Sequence, residues 1–150
     1  MIERLPDGAR VLIRPIRLDD KGMLADGLRR LSPQSAQRRF LTPKRTFSRA
    51  ELRYLTEVDG RDHVALVAEY PCYPVRRLIA VARFVRTEPE VAEIAVTVDD
   101  EWQGRGLATR LLVEDEPLDI RYGTLRNHER ILDLRAGVLH RTLEWLSPTE

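Results

Sequence analysis

Four stretches of the chain are rich in apolar residues and predict β-strands, and in the first and the last of them the residues alternate between two faces. The first strand is expected over residues 10–16. Three more are expected in "HVALVAEY", "RLIAVARFV" and "VAEIAVTV", which cover residues 63–70, 77–85 and 91–98. Only short loops separate these last three runs, which indicates an antiparallel meander.

Between the first strand and the meander, apolar residues recur three or four positions apart, as on one face of a helix. The first helix is expected over 21–30, with Asp19 or Asp20 as its cap. The second begins at Ser32 and has a proline in its first turn. The third opens with a capping box formed by Ser48 and Glu51.

After the meander the pattern predicts a helix from about residue 106 to 113, where Pro117 is expected to end its extension. Residues 119–125 are a candidate short strand. From 126 to 146 the apolar residues are again three or four apart, which predicts a final helix. The expected architecture is therefore mixed α/β, with a mixed central sheet and helices on its faces.

The composition is that of a globular protein, with 33% charged and 43% hydrophobic residues. Its 150 residues suit one domain over 1–150. A net charge of +1 argues against nucleic-acid or membrane partners. We expect a cytoplasmic protein, because no apolar leader or membrane-length run is present. The three histidines are scattered, so no metal site is expected.

The stretch "AEIAVTVDDEWQGRGLATRLL" joins the last meander strand to the next helix through an acidic corner and two glycines. Small residues at Gly104, Gly106 and Ala108 let an anion approach the main chain. Unpaired N–H groups are expected there, so phosphate binding is the functional interpretation. Arg105 and Arg110 are candidates to assist. Tight packing of the helix onto the strand is the alternative interpretation.

Two other phosphate-binding classes are excluded by the sequence. The stretch lacks the full Gly-x-Gly-x-x-Gly of dinucleotide-binding folds, and the strands before it form a meander. It also lacks the Gly-Lys-Ser/Thr of phosphate-binding loops.

The same stretch resembles the acetyl-CoA-binding motif of the GCN5-related N-acetyltransferases, the GNAT family. "VLIRPIRLDD", "LSPQSAQRRF" and "VDGRDHVALVA" are similar to the bacterial branch that includes protein-lysine acetyltransferases. The resemblance covers residues 10–112, whereas 113–150 diverge. It implies a GNAT-like acyl-CoA N-acyltransferase fold with reduced C-terminal strands.

The resemblance implies roles for ten residues. The main-chain amides of the turn would hold the acetyl-CoA diphosphate: Gly104, Arg105, Gly106, Leu107, Ala108 and Thr109. Gln103 would shape the turn, and the backbone of Val96 and Val98 would bind the pantetheine arm. Glu93 is the candidate base, unless it pairs instead with an arginine such as Arg83.

The implied activity is acetyl transfer to a primary amine of a small molecule or a protein lysine, by direct attack on the thioester. The resemblance also implies a homodimer. The segment with Arg38 and Arg39 would border the acceptor site and favour an acidic substrate. The alternative function is a regulatory module that binds CoA without transferring an acetyl group, which the divergent C-terminal part would suit.

Overall fold

The computed structural model describes residues 2–40, 45–72, 75–89, 91–113, 124–126 and 138–146. The strands are β1 (Ile2–Arg4), β2 (Arg10–Pro15), β3 (His63–Cys72), β4 (Val75–Glu88), β5 (Val91–Val98), β6 (Thr124–Arg126) and β7 (Val138–Leu146). The helices are α1 (Lys21–Arg30), α2 (Pro33–Phe40), α3 (Arg49–Thr56) and α4 (Leu107–Val113). Single 3-10 turns lie at Leu18–Asp20 and Asp100–Trp102.

All seven strands form one sheet in the order β1-β2-β3-β4-β5-β7-β6, and every neighbouring pair is antiparallel. The predicted meander of β3, β4 and β5 is therefore confirmed, and so is the mixed class of a sheet with helices. β1 was not predicted, because three residues are too few to show a period of two.

The local helix signals act largely as expected. The side chain of Ser32 accepts the Ser35 N–H at 3.1 Å. Ser48 and Glu51 form the reciprocal capping box, with both hydrogen bonds at 3.1 Å. The expected cap of α1 is wrong, since Asp20 makes no capping bond to that helix and its carboxylate binds Arg14 instead.

Alternation along the strands divides the core between the two faces of the sheet. On one face, Ile94, Val96 and Val98 of β5 pack with Leu107 and Leu111 of α4. On the other face, the sheet packs against α1 and α3, and the buried residues there are Ile16, Leu24, Leu55, Ala65, Val67 and Leu78. A further cluster lies between α1 and α2 and consists of Leu28, Leu31 and Ala36. The strand end and the turn after it are thus supported from both sides.

The prediction of a final helix is wrong for residues 138–146, which form strand β7. β7 pairs with β5 on one side and with β6 on the other. The apolar spacing in "VLHRTLEWL" suits a helix, but its Val, Thr and Trp also favour a strand, and the edge of β5 supplies the partner. Residues 127–137 and most of the candidate strand over 119–125 lie outside the described residues. No helix within the described ranges has the length and apolar character to cross a membrane.

A buried ion network fixes β2 to the chain that follows it. Arg14 makes two hydrogen bonds of 2.8 Å to the Asp20 carboxylate and one of 3.0 Å to Glu69 on β3. Burial works to raise the pKa of Asp20, but the bonds from Arg14 and from the Arg17 N–H outweigh it, so that pKa is lowered. Both carboxylates therefore stay ionised at neutral pH.

Replacing Arg14 should destabilise the fold strongly, because Asp20 would keep its charge in a buried site without its cation. We expect Arg14→Met to lower the free energy of unfolding by about 3 kcal/mol or more, measured by urea denaturation at pH 7. The exposed Arg29, paired with Asp26 at 3.0 Å, is the matched control, and Arg29→Met should change stability by about 0.5 kcal/mol or less. Equal effects of the two substitutions would contradict a structural role for the network.

Candidate functional site

The turn between β5 and α4 has a backbone that requires glycine at two positions. Gly104 has a φ of 74° and Gly106 a φ of 83°, both in the left-handed region that other residues rarely adopt. A β-carbon on Gly104 would meet no atom within 4 Å, so the chain is open to its surroundings there. The glycines therefore serve backbone conformation and access, more than close packing.

The acidic corner before the turn is tied to α1 and α2 by side chains. The bonds run from Arg30 Nε to Asp99 Oδ2 (2.9 Å), from the Ser32 N–H to Asp100 Oδ1 (3.1 Å) and from Ser35 Oγ to Asp100 Oδ2 (3.4 Å). These bonds use carboxylate oxygens and leave the later N–H groups of the turn untouched. The N–H groups of Trp102 and Gln103 donate to the carbonyls of Asp99 and Asp100 at 2.8 and 3.4 Å, so the corner uses its early main-chain donors and not those after Gln103.

The side chain of Gln103 connects the turn to two neighbouring elements. Its Nε2 donates to the Val98 carbonyl at 3.1 Å and to Ser35 Oγ at 3.3 Å. The same amide thus joins the end of β5 to α2, which suits the expectation that Gln103 shapes the turn.

The N–H groups from Gly104 to Thr109 have no protein acceptor among the described residues. The next one, of Arg110, donates to the Gly106 carbonyl at 3.1 Å and begins the helical pattern. A groove of about 130 Å³ runs beside these donors, lined by Val98, Trp102, Gln103, Gly104, Gly106, Leu107, Ala108 and Thr109. Six main-chain donors beside a groove form a site suited to an anion.

The two arginines of this stretch are engaged with the start of the chain. Arg105 Nε lies 3.3 Å from Asp7 Oδ2, and its guanidinium stacks 4.4 Å from the centre of the Trp102 ring. Arg110 Nη1 lies 3.8 Å from Glu3 Oε2. Their charges are already partly balanced, so the main chain supplies most of the attraction for an anion in the groove.

The backbone of Val96 and Val98 points to the outer edge of β5. The Asp99 N–H donates to the Ile79 carbonyl on β4 at 2.7 Å, and successive residues of a strand point to opposite sides, so the even-numbered residues face away from β4. We expected that edge to be open at Val96. Instead β7 pairs along it, with Val96 opposite Leu139 and the described ladder ending at Thr97.

Glu93 lies on the face of the sheet opposite the α4 side, as predicted, and is half-buried. Ala95 and Thr97, on the same face of β5, line a cavity beneath α1, α2 and α3. The charge of Glu93 acts favourably on Arg39 of α2, which also lines this cavity. Glu93 therefore faces the side of the sheet that the helices α1, α2 and α3 cover.

Sequence reasoning missed the environment of Arg83, which it considered only as a partner for Glu93. Arg83 Nη1 donates to the Leu55 carbonyl at 3.0 Å and lies 2.6 Å from His63 Nε2. Burial, with the Arg83 charge, lowers the pKa of His63 to about 4, so the ring accepts this hydrogen bond in its neutral form. A charged residue in the apolar run "VARFV" was the available signal.

Arg38, the other candidate beside Arg39, lies in α2, and its side chain is outside the described part. Within the described ranges, no three His, Cys, Asp or Glu residues gather as a metal site requires.

The comparisons divide the chain in two. Residues 105–150 match the model of the glycosyl hydrolase family 65 N-terminal domain. An uncharacterized glycosyl hydrolase of Mycobacterium tuberculosis is 53% identical over 60 residues, which are 40% of this chain and 7% of that protein. This match agrees with the divergence expected after residue 112. The matched part is too small a share of the hydrolase to indicate an activity.

An acetyltransferase of Pseudomonas aeruginosa is 35% identical over 112 residues, which are 74% of this chain and 60% of that protein. The crystal structure of the GNAT domain of S. lividans PAT superposes with a TM-score of 0.70 at 24% identity and covers 96% of each chain. The chain thus spans less than two thirds of the curated relatives it matches.

The relative named an acetyltransferase and the GNAT-domain structure together support a place for the chain in the GCN5-related N-acetyltransferase family. Its fold is that of a GNAT domain.

His63 should remain neutral well below the usual histidine range, because burial disfavours its charged form and protonation would place a second cation against Arg83. We expect its pKa near 4 in a proton NMR titration, against about 6.5 for a free histidine. Since the folded-state pKa is lowered, stability should fall as the pH drops from about 6.5 towards 4. In Arg83→Met the titration should shift back towards the ordinary value; an unshifted titration in that variant would contradict this origin.

Proposed function

We propose that this chain is an N-acetyltransferase that moves an acetyl group from acetyl-CoA to a primary amine. Family membership supports acyl transfer as the general chemistry. The observation that carries the donor assignment is the row of N–H groups from Gly104 to Thr109, which have no acceptor among the described residues and lie beside a groove. A diphosphate matches such a row, because each of its oxygens accepts hydrogen bonds.

The thioester end of acetyl-CoA would follow the outer edge of β5. Val98 stands one residue beyond the described β5–β7 ladder, next to the groove, and both it and Val96 point to that edge. An arm extending as far as Val96 needs the main-chain groups that face Leu139. The thioester arm and β7 therefore compete for this edge. We propose that the pairing of β7 opens at Val138 and Leu139 when the arm binds.

In the proposed reaction the amine nitrogen attacks the thioester carbonyl directly. The C–N bond forms, the C–S bond breaks, and the sulfur leaves as a thiolate that takes up a proton. An alkyl ammonium has a pKa of about 10.4, so the acceptor must lose a proton before or during attack. Glu93 is the proposed base, directly or through water, because it lies on the strand whose edge would carry the thioester.

Several expectations stay predictions. These are the homodimer, the cytoplasmic location and the single domain over residues 1–150. The last is supported by one sheet that includes β6 and β7 beside the earlier strands. The acceptor class stays a small-molecule amine or a protein lysine. The alternative of a module that binds CoA without transfer is not favoured, since the matching relative is named an acetyltransferase.

Gly104→Ala should weaken binding of acetyl-CoA, because its positive φ is unfavourable for alanine and the turn would shift its N–H groups. We expect the Kd to rise about tenfold, the effect of losing one charge-assisted hydrogen bond, measured by calorimetry on the full chain. Gly22 in α1 also has open space around it, but no positive φ. Gly22→Ala is thus the matched control and should leave the Kd unchanged; the same Kd in both variants would contradict the turn as the diphosphate site.

Glu93→Gln should slow transfer because glutamine cannot accept the amine proton. We expect kcat to fall about 100-fold at neutral pH, followed by release of free thiol with a panel of amines, while the Kd for acetyl-CoA stays the same. The exposed Glu57 is the control, and Glu57→Gln should keep full activity. Unchanged turnover in Glu93→Gln would remove its role as base. Thermal stabilisation by acetyl-CoA without turnover in the unaltered protein would favour the binding module instead.

A further inference from the structure

A cavity of about 70 Å³ lies between the sheet and the helices α1, α2 and α3. Most of its wall is aliphatic or aromatic, with Leu24, Leu28, Phe40 and Phe47 among the lining residues. Three charged side chains reach it, from Arg39, Arg83 and Asp99. Asp99 is already paired with Arg30 at 2.9 Å. The cavity is therefore apolar except for two guanidinium groups.

Arg83 is 4% exposed. Its two hydrogen bonds go to the Leu55 carbonyl and to neutral His63. Among the described residues, no carboxylate lies within ion-pair distance of its guanidinium. A buried cation without an anion is costly, since it loses water and gains no opposite charge.

Arg39 brings a second cation to the same cavity. It is half-buried, with its guanidinium 4.9 Å from the centre of the Phe40 ring. It also has no ion pair with a described carboxylate. Burial, and then the nearby charge of Arg39, lower the pKa of Arg83 to about 10, so that Arg83 is still charged at neutral pH. The two side chains thus repel each other. The charge of Glu93 acts favourably on Arg39, but no described carboxylate lies within ion-pair distance of either guanidinium.

This arrangement differs from that of the other buried arginine. Arg14 is neutralised by two carboxylates at 2.8 and 3.0 Å. The half-buried Arg30 has Asp99. Of the buried and half-buried arginines, the two that line the cavity lack such a partner within the described residues, which leaves them open to an anion from outside that part of the chain.

We propose that Arg39 and Arg83 together bind a carboxylate of the amine acceptor. This inference rests on the proposed function, because Ala95 and Thr97 of the cavity wall share a strand face with the proposed base Glu93. A planar carboxylate suits guanidinium groups, and a cavity of about 70 Å³ suits a group of a few carbon atoms. The acceptor class is then an amine with a carboxylate a short distance from its nitrogen.

Binding is tested with propionate, which carries the carboxylate but no amine, against the uncharged propionamide. We expect propionate alone to raise the Tm of the full chain and to bind measurably by NMR titration. Arg39→Gln and Arg83→Gln should each weaken its binding about tenfold or more. Arg83→Lys provides a second variant should Arg83→Gln unfold. Arg29→Gln, on the exposed side of α1, should bind propionate as the unaltered protein does.

Transfer to β-alanine and to its amide, β-alaninamide, separates this inference from the proposed function. We expect kcat/KM to favour β-alanine, and Arg39→Gln to remove about tenfold of that preference. Propionate binding that depends on both arginines, without transfer to any amine, would support the carboxylate site while the proposed function fails. Transfer without preference, together with no binding of propionate, would overturn the site alone. Inorganic phosphate that binds as tightly as propionate, and that Arg39→Gln and Arg83→Gln weaken equally, would overturn the assignment to a carboxylate.

Discussion

The turn after β5 is held by side chains and by two main-chain bonds at its start, and not by the N–H groups from Gly104 onward. Carboxylates of Asp99 and Asp100 bind Arg30, Ser32 and Ser35. The amide of Gln103 adds a bond to the last residue of β5. A turn fixed by its own N–H groups would have none left for a ligand. Because side chains hold the turn in place, a row of main-chain donors is left to face the groove. The same side-chain bonds connect the turn and the end of β5 to the helices α1 and α2.

Charge is distributed unequally over the helical face of the sheet. One buried arginine, Arg14, is paired with two carboxylates and fixes β2 to the chain around it. Another, Arg83, sits on β4 with neutral partners and with Arg39 close by. The first arrangement stabilises the protein, whereas the second would be relieved by the anion that we propose to bind there. The contrast between the two buried guanidinium groups thus distinguishes a structural element from the proposed binding element.

Local signals in the sequence were sufficient where local interactions decide the structure. The span of α1, the capping box at Ser48 and the three meander strands depend on spacing and capping within a few residues. The turn was also predictable, since glycine spacing after a strand indicates positive φ. Prediction failed where distant partners decide. The residues of β7 suit a helix or a strand, and the neighbouring β5 selects the strand. The cavity arginines needed the strand register, which places β3, β4 and β5 side by side.

β7 also shows how little the edge of a sheet depends on the sequence of the strand that pairs with it. It belongs to the segment that resembles a glycosyl hydrolase domain, yet it pairs in register with a strand of an acetyltransferase fold. The ladder is made of peptide groups, which are the same in every protein, so pairing with β5 does not require particular side chains. A ligand that uses the same peptide groups would have to displace part of this strand. The strand at the edge of a sheet therefore sets how much of that edge a ligand can reach.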